Sequence, residues 1–185
     1  MDSTTYNANP VIFATSATHS RPGRAHRGGV WEELGLIARD SSDSSDEDDG
    51  PEPIDATEIY DLVRSITDPE HTNLTLEQLR VVNAEDIAIA GNSLLLEFTP
   101  TVPHCGMSTL IGLSIRVRLM RSLPQRFKVD IKVKPGTHAS ELSVNRQLND
   151  KERVAAALEN DAIVDVVERC LATAHRRGRG GDECC

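Results

Sequence analysis

The feature that most constrains this fold is the contrast between a polar N-terminal stretch and the periodic apolar residues that follow it. Residues 1–54 are rich in Ser, Thr, Gly, Pro and like charges. Such a composition cannot bury enough apolar surface to offset the entropy lost on ordering. Eight acids and no base fall within residues 40–55, which leaves −1 of the net charge of −9 for the rest of the chain. We predict a disordered tail over residues 1–54.

Regular structure is expected to begin near Asp55. Apolar residues recur at helical spacing over residues 59–66, and Asp55 with Glu58 forms the start of a capping box. Residues 86–90 and 94–98 have strand character, and Gly91-Asn92 between them predicts a tight turn. The sequence therefore predicts a helix followed by a hairpin.

Residues 107–123 fit two patterns, because their apolar side chains suit either an alternating strand or a helical stripe. Their length and the stop at Pro124 favour the helix. A half-exposed strand is predicted over residues 127–133, then a helix over 140–158 that breaks near Asn149, then a helix with Asp161 as its cap. The predicted fold class is α+β: two layers, a mostly antiparallel sheet and helices on one face. Its domain covers residues 55–174, and residues 175–185 form a flexible tail.

Several functional classes are disfavoured by the sequence. No apolar run is long enough to span a membrane, and no secretory signal pattern precedes residue 55, so we expect cytoplasm or nucleus. The chain has no phosphate-binding glycine loop and no paired spacing of zinc ligands. Seven bases and one acid lie in residues 116–134, but without interleaved stacking aromatics. They indicate an acidic protein partner or the chain's own acidic segment rather than nucleic acid.

Cys105 is the candidate functional residue. Pro100 and Pro103 stiffen the loop before it, and the predicted helix begins just after Gly106. Backbone N–H groups and the dipole at a helix start stabilise a thiolate and lower the thiol pKa. The alternatives are a small packing residue, a metal ligand or a nucleophile. Adjacent His104 is a poor catalytic partner because neighbouring side chains point apart, whereas His71 or His138 could approach in space.

The other cysteines contribute less to a site. Cys170 lies on an apolar helix face, where it behaves as an inert hydrophobe, and we expect all four cysteines to be free thiols. Iron–sulfur clusters usually take four cysteine ligands. One chain offers Cys105 and a dimer would offer two, so we predict no stably bound cofactor but allow transient cluster contact. Cys184 and Cys185 receive no role.

A series of sequence blocks, in order along residues 55–173, resembles the MIP-eighteen (galla) family of the targeting complex for cytosolic iron–sulfur assembly. Bacterial SufT- and PaaD-like domains share its Asp-Pro-Glu element and the cysteine before a helix. The blocks that carry the resemblance are Asp68-Pro69-Glu70, Thr75-Leu76-Glu77-Gln78-Leu79, Phe98-Thr99-Pro100-Thr101 with Pro103-His104-Cys105, Arg121-Ser122-Leu123-Pro124 with Arg126-Phe127-Lys128-Val129, Pro135-Gly136-Thr137-His138-Ala139-Ser140-Glu141, and residues 145–160.

The resemblance implies a non-enzymatic adaptor that helps deliver clusters to cytosolic and nuclear apoproteins. Its implied partners are a WD-repeat propeller, a large HEAT-repeat adaptor, client apoproteins and, in some members, a second copy. The family's reactive cysteine matches Cys105, its acidic residues match Asp68 and Glu70, and its histidine matches His138, with His104 beside the cysteine. Gly106 departs from the family, where many members carry Ser. A cysteine-dependent enzyme and a plain scaffold with a structural cysteine are the alternatives.

Overall fold

The computed structural model describes Asn7 and residues 9–15, 54–102 and 106–174 of the chain. The predictions made for the rest of the N-terminal tail and for residues 175–185 lie outside the described residues. Among the residues described, no helix combines the length and the apolar character needed to cross a bilayer.

The first helix within the described residues, α1, covers Ala56–Val63 and begins with the predicted capping box. The Glu58 N–H donates to Asp55 Oδ1 at 2.8 Å, and the Asp55 N–H donates to Glu58 Oε2 at 3.2 Å. These reciprocal bonds satisfy N–H groups that a helix start leaves without partners. The helix buries Ile59 and Val63 in the core.

A short 3₁₀ helix, Ala84–Asp86, leads into strand β1, Ile87–Ala90, which pairs antiparallel with β2, Ser93–Phe98. The turn between the strands places Gly91 at φ +57°, a conformation that glycine adopts without steric cost. The predicted hairpin is therefore confirmed.

The sheet has three strands in the order β1-β2-β3, and β3, Lys128–Val133, pairs parallel with β2. The sheet is thus mixed, and the prediction of a mostly antiparallel sheet is wrong in this detail. The cause is helix α2, Met107–Ser122, which lies between β2 and β3 in the chain. A helix that returns the chain to the start of the sheet makes the next strand parallel to the last.

Helix α2 resolves the ambiguity over residues 107–123 in favour of a helix. Every residue from Ile111 to Leu119 is buried, because the helix packs against β3 and against three other helices. A helix buried all round carries no clear amphipathic stripe, which explains why its sequence fitted two patterns.

Three more helices follow in the described part of the chain: α3, Glu141–Asn149; α4, Lys151–Leu158; and α5, Asp161–Leu171. The predicted break near Asn149 falls at Asp150, whose carboxylate caps α4 by accepting from the N–H groups of Glu152 and Arg153. Helix α5 is capped by Asn160 rather than by Asp161, since the Asn160 side chain accepts from the Ala162 N–H.

The sheet buries one face and exposes the other, as predicted for a two-layer α+β domain. Alternate residues of β2 and β3 point into the core, and these are Leu94, Leu96, Phe98, Val129, Ile131 and Val133. The outer edge of β3 is covered by side chains of α3. Asn149 accepts from the Ile131 N–H at 2.9 Å and donates to the Ile131 carbonyl at 2.7 Å, while Asn145 accepts from the Val133 N–H at 2.7 Å.

Candidate functional site

The structure describes residues up to Val102 and from Gly106 onwards, on either side of the candidate thiol of Cys105. The Thr99 N–H donates to the Val81 carbonyl at 2.8 Å, and Pro100 and Val102 are buried. After residues 103–105, Gly106 is exposed, precedes the first residue of α2 and supplies no side-chain cap. Cys105 and His104 lie outside the described residues, so the predictions made for them stay predictions.

Asp68 is the best-defined predicted site residue. Its side chain is 1 % exposed. Oδ1 accepts from the N–H groups of Glu70 and His71 at 2.8 and 2.9 Å, which fixes the Asp-Pro-Glu turn. Oδ2 is buried and makes no hydrogen bond within the described part of the chain. A buried carboxylate oxygen without a hydrogen bond destabilises the folded state. Unfavourable local arrangements of this kind concentrate at functional sites.

The Asp68 carboxylate lies near the thiol of Cys170 on α5. Burial raises the pKa of Cys170, a hydrogen bond with the Ser114 hydroxyl on α2 opposes this, and the negative charge of Asp68 raises it further. Cys170 is 3 % exposed and has no disulfide. A buried thiol with a raised pKa is a weak nucleophile, which agrees with the inert role predicted for Cys170.

His138 lies in the loop between β3 and α3, away in sequence from the Asp-Pro-Glu turn. It is 9 % exposed, and its Nδ1 accepts from the Ser140 N–H at 3.1 Å, so Nε2 carries the ring proton. The same loop is fixed by Glu141, whose Oε2 accepts from the Gly136 N–H at 2.8 Å. The imidazole therefore has a defined orientation on a rigid loop.

Asp68 and Glu70 share one turn and His138 lies on another loop. In the described ranges no group of three or more His, Cys, Asp or Glu side chains is placed to hold a metal ion. Cys184 and Cys185 are beyond residue 174, where the described residues end.

The basic stretch of residues 116–134 does not form one surface. Arg116 and Arg118 on α2 are each 8 % exposed. Arg116 donates from Nη1 to the Val129 carbonyl at 3.2 Å, and burial lowers its pKa against the opposing charge of Asp130. Arg118 donates from Nε to the Leu62 carbonyl at 3.2 Å and from Nη2 to the Ala174 carbonyl at 3.1 Å. Both guanidinium groups therefore connect α2 to other segments of the fold through backbone carbonyl groups.

Sequence reasoning missed Arg116, Arg118, Asn145 and Asn149 as structural residues. A signal was present for the two arginines, since they lie inside an apolar stretch that is long enough for a buried helix. Long cationic side chains in such a stretch need internal acceptors, and backbone carbonyls supply them.

Comparison with known proteins places this arrangement in a family. A family model described as an iron–sulfur cluster assembly protein matches residues 56–133. The MIP18 family protein galla-2 of Drosophila melanogaster is 59 % identical over 132 residues, which cover 70 % of this chain and 84 % of that protein.

Two further relatives carry the name cytosolic iron-sulfur assembly component 2B. The mouse protein is 50 % identical over 168 residues, 90 % of each chain. The Dictyostelium discoideum protein is 59 % identical over 134 residues, which cover 71 % of this chain and 82 % of that protein. This chain belongs to the MIP18 family of iron–sulfur cluster assembly proteins.

Proposed function

We propose that this protein is a non-enzymatic adaptor of cytosolic iron–sulfur protein assembly. It helps deliver clusters to cytosolic and nuclear apoproteins by docking partners and by presenting the thiol of Cys105. The observation that carries the proposal is its membership of a family whose mouse and Dictyostelium members are named as cytosolic iron–sulfur assembly components.

The local structure supports Cys105 as the working thiol. Only Gly106 separates it from Met107, the first residue of the 16-residue helix α2. The positive end of a helix dipole stabilises an anion placed beside it, and a thiolate binds iron more strongly than a thiol does. A glycine between the cysteine and the helix leaves space for a client or a cluster to approach.

The cluster is cargo in this proposal, not a resident cofactor. Clusters usually take four cysteine ligands. Cys170 is buried with a raised pKa, which leaves Cys105 as the ligand that the folded domain offers. One such ligand per folded domain suits handover between proteins better than permanent binding, and a homodimer would present two.

Asp68 and His138 support the site in this proposal. Both are buried on rigid loops, and the unsatisfied Oδ2 of Asp68 has no explanation in the packing of the described residues. A WD-repeat propeller and a HEAT-repeat adaptor are the proposed partners.

The proposal is tested by replacing the thiols one at a time in full-length protein, in cells that depend on it for maturing iron–sulfur enzymes. Cys105→Ala is expected to keep its fold and its association with the propeller protein but to lose client activity and iron incorporation. Cys170→Ala is the matched control, because it removes a buried thiol of the same domain.

Three outcomes count against the proposal. Normal client maturation by Cys105→Ala would remove the thiol from the mechanism and leave docking alone. Failure of the wild-type chain to associate with a propeller protein would remove the adaptor role. A full loss of client activity in a folded Cys170→Ala variant would show that the proposal names the wrong thiol.

A further inference from the structure

The N-terminal segment Asn9–Thr15 contacts the folded domain through Phe13. The Phe13 N–H donates to the Gln78 carbonyl at 2.8 Å. The guanidinium of Arg80 lies over the Phe13 ring, 4.1 Å from its centroid. Phe13 is half-buried, whereas Val11 and Ile12 are 69 % and 59 % exposed. Phe13 is therefore the residue that anchors this segment.

The turn that receives Phe13 is held by bonds of its own. Thr75 and Gln78 form a reciprocal pair: the Thr75 N–H donates to Gln78 Oε1 at 2.9 Å, and the Gln78 N–H donates to Thr75 Oγ1 at 3.3 Å. Glu77 forms a buried ion pair with Arg64, 3.3 Å from Nη1 to Oε1. The turn is thus ordered by contacts that do not involve the N-terminal segment.

Arg80 adopts a conformation that L-residues rarely take. Its φ is +51°, in the left-handed region, where a side chain meets steric strain. Strain of this kind persists where the surroundings impose it and often marks a binding site. Here the guanidinium lies over the aromatic ring, where the negative face of the π system attracts a cation.

We propose that the turn Thr75–Arg80 is a peptide-binding site for an extended segment with one aromatic side chain. Its resident ligand is the chain's own Asn9–Thr15, bound in cis. Two features select the ligand: the Gln78 carbonyl pairs with the backbone, and the Arg80 guanidinium stacks on the ring. This combination of a backbone bond and a side-chain contact is how extended peptides are commonly recognised.

The binding turn is continuous with the Asp-Pro-Glu turn. Thr75 forms a bridge with Thr67, the Asp68 N–H donates to the Leu74 carbonyl at 3.0 Å, and the Leu76 N–H donates to the Ile66 carbonyl at 2.9 Å. The binding turn is therefore hydrogen-bonded directly to the segment that carries Asp68. A partner that supplies an aromatic peptide would compete with the N-terminal segment for the same turn.

The test uses full-length chains and a fluorescein-labelled peptide of residues 7–16, with binding followed by fluorescence anisotropy. The wild-type site is filled in cis, so the peptide must compete with a tethered ligand. Phe13→Ala vacates the site. We expect Phe13→Ala to bind the peptide at least about tenfold more tightly than wild type does. Val11→Ala is the matched control, since Val11 is exposed on the same segment, and it should behave as wild type.

Arg80→Gly separates binding from folding. Glycine accepts a φ of +51° without strain, so thermal unfolding should stay close to that of wild type. In the Phe13→Ala background, Arg80→Gly should lower the affinity for the peptide by about threefold to tenfold, because the cation–π contact is lost. Lower stability with unchanged peptide binding would make Arg80 a structural residue and overturn its assigned role.

The remaining outcomes are decisive. Equal peptide affinity for wild type and Phe13→Ala, or no binding to either, would overturn the proposal. A wild-type dimer that Phe13→Ala converts to a monomer, measured by light scattering, would overturn occupancy in cis and assign the segment to a second copy.

Discussion

Replacing Asp68 by Asn tests whether its buried carboxylate serves function rather than folding. The amide oxygen can still accept from the N–H groups of Glu70 and His71, as Oδ1 does at 2.8 and 2.9 Å. The change removes the charge and replaces Oδ2, which has no hydrogen bond in the described part of the chain, by an uncharged NH2 group. We expect the free energy of unfolding to stay the same or to rise by about 1 kcal/mol.

Asp68→Ala is the matched comparison, because it removes the acceptor as well as the charge. Two backbone N–H groups then lose their partner, and we expect a loss of about 2–4 kcal/mol. Urea unfolding of the full-length variants, followed by far-UV circular dichroism, measures both values. Client maturation should fall in Asp68→Asn although its stability is kept. Equal destabilisation of the two variants would refute the reasoning, since it would mean that Oδ2 stabilises the fold.

Three further predictions concern the fold around the site. In Gly112→Ala, the new Cβ would clash with Cδ1 of Leu148, which is 1 % exposed. We therefore expect a net loss of about 1–2 kcal/mol of unfolding free energy in urea, despite the better helix propensity of Ala. Stability equal to wild type would show that Leu148 repacks freely. Asn149→Ala should lose about 2–3 kcal/mol of unfolding free energy and Asn145→Ala about 1 kcal/mol. The reason is that Asn149 bonds both the N–H and the carbonyl of Ile131, whereas Asn145 bonds only the N–H of Val133. Equal losses in the two variants would contradict this reasoning. The raised pKa of Cys170 stabilises the folded state fully below the ordinary thiol pKa of 9.0, and this contribution is lost as pH rises through the folded pKa. Between pH 8 and 11, Cys170→Ala should therefore lose less unfolding free energy than wild type. An identical dependence of unfolding free energy on pH in the two proteins would contradict the raised pKa.

Local signals in the sequence predicted most helices and strands. The Asp55 and Glu58 pair marked the start of α1, Gly91-Asn92 marked the hairpin, and Pro124 marked the end of α2. These features depend on residues that are neighbours in the chain, so their physical effect is visible without the fold. The same holds for the break between α3 and α4, where Asp150 ends one helix and caps the next.

Long-range arrangements were harder to predict. The parallel pairing of β2 with β3 follows from the helix between them, but the hairpin signal pointed to antiparallel pairing throughout. The internal bonds of Arg116 and Arg118 depend on carbonyl groups distant in sequence, so charge alone suggested a surface. Phe13 contacts Arg80, which is distant in sequence and has a left-handed conformation, and no local pattern indicated either feature.

The candidate site was predicted in part. Asp68 was named from a resemblance, and the structure adds that its carboxylate is buried, orders a turn and keeps an unsatisfied oxygen. That information comes from packing between α2, α5 and the turn, which a sequence pattern does not contain.

Alkylation of the full-length chain by iodoacetamide across a range of pH, read at each cysteine by mass spectrometry of its peptide, is the most direct test of a working thiol. We expect Cys105 to react with a midpoint below the ordinary thiol pKa of 9.0, while Cys170 stays protected until the domain unfolds. A Cys105 as unreactive as Cys170, or with a midpoint above that value, would contradict the account.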